Sequence, residues 1–227
     1  MGSATLVGCR RRAGSLWAAV LAVVAAAVLP ACGSSAARSL PTSPDLTSIR
    51  RVVVLGDSLS VSPSMADGFP AYLQKRIADQ RLPWTVTNAG VYGDTTAEAL
   101  RRLDPLLTSD LGVLVVALGA NDGLQGLPIG SVESNLTEIV GRGQQHTARV
   151  LLCGIETPPT HGLSYSLAFH AVFPRVATAY RVPLVPFLLA GVALVPSLNG
   201  PDFVHPNAAG AQRIAETVWP YLEPLLR

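Results

Sequence analysis

The chain has 227 residues, 49% of them hydrophobic and only 14% charged, and a mean hydropathy of +0.37. Globular domains carry about 25% charged residues, so disorder as the dominant state is excluded. The length suits one α/β domain, which at this size buries roughly 70% of its unfolded surface. The formal charge is +2, and setting aside Arg10, Arg11 and Arg12 leaves 14 of the 17 basic residues against 15 acidic ones, or −1. With no basic block, a nucleic-acid face is excluded as well.

The first 31 residues read as an address. Three arginines precede an uncharged Ala/Val/Leu run from Leu16 to Leu29, the pattern of an export signal. The run ends Leu29-Pro30-Ala31-Cys32, which resembles a bacterial lipobox and marks Cys32 for lipidation. An ordinary signal peptide is the alternative, or a retained anchor, since Leu16 to Cys32 lies at the short edge of what spans a bilayer. Residues 33–48 are rich in Ser, Ala, Pro and Thr, a flexible tether with a mean span of roughly 20–25 Å. The expected organisation is a signal over 1–31, a lipidated cysteine and tether over 32–49, and one domain over 50–227. Cys9 leaves with the signal and Cys32 carries lipid, so Cys153 has no disulfide partner and reads as a small buried residue.

From Arg50 onward, short β-branched runs alternate with helical patterns. Strands are predicted over Arg51–Leu55, Trp84–Asn88, Leu111–Leu118, Arg149–Cys153 and Val182–Val185. Helices are predicted over Phe69–Asp79, Thr95–Leu107, Val132–Val140, Leu167–Tyr180 and Pro206–Leu226, with Pro206 suited to a first helical position. Uninterrupted apolar strands alternating with helices imply a parallel sheet covered on both faces. Ligands of such sheets collect beyond the carboxyl ends of the strands.

Unusual residues stand at those ends. The first strand runs into Gly56-Asp57-Ser58-Leu59-Ser60, the second into Asn88-Ala-Gly90-Val-Tyr-Gly93-Asp94-Thr95, and the third into Gly119-Ala-Asn121-Asp122-Gly123. Asp202-Phe-Val-His205-Pro206-Asn207 precedes the last helix. Ser58 alone reads as a turn or cap serine. Asp202, three residues before His205, can hold one imidazole nitrogen and leave the other to face a serine as general base. Gly93 offers an open backbone N–H and Asn121 a side-chain amide. With the N–H of Ser58 they make three donors for an oxyanion. His146, His161 and His170 show no metal-ligand spacing.

Together these segments resemble the blocks of the SGNH, or GDSL, hydrolase family, whose serine, glycine, asparagine and histidine match Ser58, Gly93, Asn121 and His205. Asp202 matches the aspartate of its D-x-x-H block. The likeness runs from about Arg51 to Leu226 and is closest to the bacterial thioesterase I, lysophospholipase and arylesterase branch, on the stretches GDSLS, GDTT, RRLDPLL, LGANDGLQGLP, VPLVPF and HPN. Val61 and Ala120 stand where that branch has glycines. Ser58 lacks the G-x-S-x-G elbow of α/β-hydrolases, and no G-x-G-x-x-G follows the first strand.

The resemblance implies a three-layer α/β/α sandwich with a mostly parallel, flavodoxin-like five-stranded sheet. It implies a Ser58–His205–Asp202 triad and an oxyanion hole of Ser58, Gly93 and Asn121. Leu124 and Leu127 match a segment bordering the acyl groove. Asp57 and Asp122 read as turn and helix-start residues. No metal or cofactor is called for. The expected protein is an exported serine esterase, a membrane-anchored lipoprotein facing periplasm or cell surface. It would act as a monomer on lysophospholipid, fatty acyl or aryl esters. Carbohydrate O-deacetylation is the runner-up, and a non-catalytic lipid- or partner-binding lipoprotein is the alternative outside enzymology.

Overall fold

The computed structural model describes residues 50–146 and 148–227. The signal of residues 1–31, Cys32 and the tether up to residue 49 lie outside the described residues. Five parallel strands form one sheet in the order β2-β1-β3-β4-β5. They are β1 (Arg50–Gly56), β2 (Trp84–Gly90), β3 (Leu111–Ala117), β4 (Arg149–Cys153) and β5 (Leu184–Val185). This is the flavodoxin-like order, with the chain reversing direction across the sheet between β1 and β3.

The helices are α1 (Ser58–Val61), α2 (Phe69–Asp79), α3 (Thr96–Arg101), α4 (Ala120–Gln125), α5 (Ile129–Gln145), α6 (Leu163–Tyr180) and α7 (Ala208–Leu222). One layer pairs α2 with α7, and the other packs α5 between α3 and α6. Val52 to Leu55, Val113 to Leu118 and Leu151 to Cys153 are fully buried. Their continuous apolar runs are what a sheet covered on both faces demands. The helices contribute Leu73 and Ile77, Leu136 and Val140, Phe169 and Phe173, and Ile214 and Val218, each pair four residues apart on one stripe.

Several expected elements are trimmed, each for a local reason. The helix expected over Thr95–Leu107 stops at Arg101 and gives way to a 3-10 turn over Asp104–Leu106, because Pro105 has no N–H to continue it. The strand expected from Val182 begins only at Leu184. The Val182 N–H instead closes the end of α6 on the Ala177 carbonyl, and Pro183 has no donor for a ladder. Pro206 does not open the last helix. It forms an antiparallel bridge with Asn199, while Asn207 caps α7 by accepting the Gly210 N–H. The short helices α1 and α4 occupy segments read as turns, being too brief for a periodic signal. Cys153 is buried at the end of β4, and burial pushes its thiol up to about 12, so it carries no thiolate at neutral pH.

Candidate active site

The residues singled out in the sequence meet where the strands end. Asp57 follows β1 and caps α1, its Oδ1 accepting the Leu59 N–H at 2.9 Å. Ser58 is the first residue of that four-residue helix. Asn88, near the end of β2, braces the turn by donating to the Ser60 carbonyl at 2.8 Å. Val61 is buried against Gly90, where a Cβ would come within 2.9 Å of the Val61 side chain. The absent side chain at 90 thus makes room for the valine at 61.

His205 comes from a tight loop rather than from a helix. Gly200 donates to the His205 carbonyl at 2.8 Å, Asn207 donates to the Leu198 carbonyl at 3.0 Å, and the Asn199 side chain ties Val192 and Val195 below. That frame sets His205 Nε2 2.9 Å from Ser58 Oγ and Nδ1 2.6 Å from Asp202 Oδ2. The other Asp202 oxygen accepts the Val204 and His205 N–H groups, each at 3.0 Å. The hydrogen bond from the His205 side chain, then those two N–H groups, hold the Asp202 carboxyl well below the usual range although it is exposed. It is a carboxylate throughout the neutral range.

Gly93 takes φ +80, and no heavy atom lies within 4 Å of the place a Cβ would occupy. The loop there is left-handed and open to solvent, as a backbone donor site requires. Asn121 spends one amide hydrogen on the Asp94 carbonyl at 2.8 Å, and its NH₂ has a second to give. Leu124 is exposed on α4, while Leu127 is partly buried against the core and its carbonyl accepts from Tyr165 at 2.8 Å. Of this pair, only Leu124 stands at the open edge. His146 and His161 contact backbone carbonyls of Leu107 and Leu124, and His170 lies 3.7 Å from Glu156. Among the described residues no cluster of side chains is arranged to hold a metal.

Two supports escaped the sequence reading. Arg102 pairs with Asp94 at 2.6 Å and donates to the carbonyls of Ala89 at 2.7 Å and Gly56 at 3.0 Å. One guanidinium therefore ties the ends of β1 and β2 to the loop carrying Gly93. Asp122 is more than a helix-start residue: its carboxylate accepts both the N–H and the hydroxyl of Thr96, at 2.9 and 2.6 Å. This fastens α4, and Asn121 with it, to the start of α3.

Asp57 is fully buried, and its Oδ2 has no hydrogen-bond partner among the described residues. Burial pushes its carboxyl up to about 7, against the pull of the Leu59 N–H. The folded protein therefore holds this proton more tightly than the unfolded chain, and stability falls as pH rises from about 4 through about 7. Asp57→Asn keeps an acceptor for Leu59 and removes the titration. Its urea midpoint is expected to change less than the parent's between about pH 5 and pH 8, with a gap on the order of 1–3 kcal/mol at the upper end. Parallel curves for the two proteins would refute a raised Asp57.

A doubly covered parallel sheet with a serine, a histidine and an aspartate in hydrogen-bonded line beyond its strand ends is a hydrolase architecture. Residues 54–213 match the model of the GDSL-like Lipase/Acylhydrolase family, and the chain belongs to that family. It is a GDSL-type carboxylic ester hydrolase. It is 41% identical over 178 residues to Esterase TesA of Pseudomonas aeruginosa, covering 77% of this chain and 89% of that one. It is 35% identical over 178 residues to Thioesterase 1/protease 1/lysophospholipase L1 of Escherichia coli K12, covering 77% and 84%. A crystal structure of TesA superposes with a TM-score of 0.74 at 39% identity, over 78% of this chain and 99% of that one.

Proposed function

We propose that the chain is an exported serine esterase that works through a Ser58–His205–Asp202 triad and an acyl-enzyme. The observation that carries this reading is the unbroken line from Asp202 Oδ2 through the His205 ring to Ser58 Oγ. Ser58 attacks the ester carbonyl as His205 Nε2 takes its proton, and Asp202 keeps the ring oriented and stabilises the imidazolium. The N–H groups of Ser58 and Gly93 and the free amide hydrogen of Asn121 hold the oxyanion. His205 returns the proton to the leaving alcohol. Water, activated by the same histidine, then releases the acid and frees Ser58. The triad lies within one chain, which supports action as a monomer.

Leu124, exposed one turn beyond Asn121, supports a fatty acyl or aryl chain. The name of the Escherichia coli relative adds thioester and lysophospholipid substrates. Export rests on the arginine-led apolar run before Cys32 and lipid anchoring on that cysteine. Acyl-CoA is cytoplasmic, so an exported enzyme meets lysophospholipids or other envelope esters instead.

The test is hydrolysis of p-nitrophenyl esters from acetyl to palmitoyl by residues 33–227. Turnover that depends on Ser58 and rises with chain length is expected. A sharp acetyl preference would move the substrate to acetylated carbohydrate, and inertness of parent and Ser58→Ala alike would refute the esterase reading.

A further inference from the structure

Of the nine large apolar side chains that stay exposed among the described residues, eight lie in the segments that run on from the strand carboxyl ends, and the ninth, Leu167, is one turn into α6. Tyr92 follows β2, Leu124 follows β3, Leu163 follows β4, and Leu194 and Phe203 follow β5. Exposed apolar residues on a soluble surface are ordinarily scattered singly, so confinement to one edge needs a cause. They surround the site: the Tyr92 ring lies 6.3 Å from the His205 ring, and the Leu124 carbonyl contacts His161, two residues before Leu163, at 2.9 Å.

Two of them are held in a conformation that L residues avoid. Leu194 is 81% exposed at φ +60, and Phe203 is 51% exposed at φ +58. Among the described residues, the other two left-handed residues that are not glycine, Arg81 and Arg181, close the ends of α2 and α6, where that conformation is ordinary. Leu194 follows a single turn closed by the Ala193 N–H on the Leu189 carbonyl, and Phe203 lies within the Asp202–His205 loop; in both places a left-handed backbone holds an apolar side chain in water.

The segments of this edge carry no cation of their own. The segments 57–68, 91–95, 118–128, 154–163 and 186–207 contain neither Lys nor Arg, although residues 50–227 hold thirteen. Their acidic residues are largely spent: Asp57 and Asp122 are buried, Asp94 is paired with Arg102, and Asp202 with His205.

We propose that this rim docks the enzyme on a lipid aggregate with neutral or zwitterionic head groups, the exposed apolar side chains entering the acyl layer around the mouth of the site. Interfacial binding of this kind scales with buried apolar area and is strengthened on anionic lipid only where free cations face it; here the one guanidinium against these segments, Arg213 beside Gly191, is paired with Glu216. A folded partner or a second copy seated on the rim would cap Ser58, whereas a lipid surface fills the mouth with acyl esters. The choice of lipid over protein rests on the lipid-esterase reading above.

The test uses residues 33–227. The domain stands alone, since its buried core runs from Val52 to Leu226 and a solved relative is matched over 99% of its own length by this stretch. The Ser58→Ala form, which leaves lipid intact, is sedimented with phosphatidylcholine vesicles and with vesicles containing phosphatidylglycerol. It is expected to bind phosphatidylcholine, with affinity constant within about twofold when salt is raised severalfold, and to gain nothing from the anionic lipid. Leu163→Ser with Leu194→Gly is expected to weaken binding about 10- to 100-fold. Glycine relieves the backbone at 194, so the melting temperature of Leu194→Gly alone is expected to stay at or above the parent's.

Failure to sediment, binding that needs phosphatidylglycerol, or an undiminished double variant would overturn the proposal. So would concentration-dependent dimerisation abolished by the same pair, which would assign the rim to a second copy. Turnover of monomeric p-nitrophenyl butyrate separates the two readings. Turnover without vesicle binding sinks only the docking surface, while vesicle binding without serine-dependent turnover supports the surface and sinks the esterase.

Discussion

Replacing Ser58 by alanine is expected to lower kcat/KM for p-nitrophenyl butyrate by about 10⁴-fold or more, and His205→Ala by a similar factor. On the proposed mechanism the two side chains, 2.9 Å apart, act as one device, in which the hydroxyl is a nucleophile only when the imidazole can take its proton. Their effects are therefore expected not to add: the double variant should be little worse than either single one. What survives is the activity that the oxyanion donors and substrate binding supply by themselves. Measuring kcat/KM for both single variants and the double decides the matter. Multiplicative losses would show that serine and histidine contribute separately.

Arg102→Met is the second large effect, expected to reduce kcat about 10²-fold while KM stays within about threefold. The guanidinium is spent on Asp94 and two backbone carbonyls; it acts on Gly93 and Asn121 through the loop that holds them. Without it the Ala89 carbonyl loses the guanidinium, the Gly56 carbonyl keeps only the Val91 N–H, and Asp94, itself mostly buried, loses its counter-charge. Misplacing oxyanion donors by about 1 Å is enough for a loss of that size. A stability loss on the order of 1–3 kcal/mol is expected alongside, the cost of leaving buried polar groups unpaired. Arg102→Lys should recover little, since a single ammonium cannot meet three acceptors in the planar geometry of a guanidinium. Steady-state kinetics with urea denaturation separate the two contributions. A purely structural Arg102 would lower stability and leave kcat per folded molecule unchanged.

The sheet was legible because Val52 to Leu55 and Leu111 to Leu118 are apolar without interruption, a pattern that only a strand buried on both faces tolerates at that length. The placement of Ser58, Gly93 and Asn121 at the carboxyl side of the sheet was legible because each stands within a few residues of such a strand's end. His205 was legible from Asp202 three residues earlier. Arg102 was not, because an arginine next to Arg101 on a short helix reads as a solvated pair. Its role depends on the carbonyls of Gly56 and Ala89 lying side by side, which only the pairing of β1 with β2 brings about. The one signal present was Asp94 eight residues before it, two turns along the same segment. The burial of Asp57 was equally hidden, since an aspartate between glycine and serine ordinarily marks an exposed turn. Pro206 misled for a related reason: it suits a first helical turn, but Asn207 caps better and Pro206 was left to the bridge with Asn199.

The most direct test of the central claim is to treat residues 33–227 with a p-nitrophenyl alkylphosphonate and map the adduct by peptide mass spectrometry. One phosphonyl group on Ser58, formed with loss of activity, absent from Ser58→Ala and much slower in His205→Ala, is the expected result. Loss of activity with the label on any other residue, or full activity with Ser58 labelled, would contradict a Ser58 nucleophile.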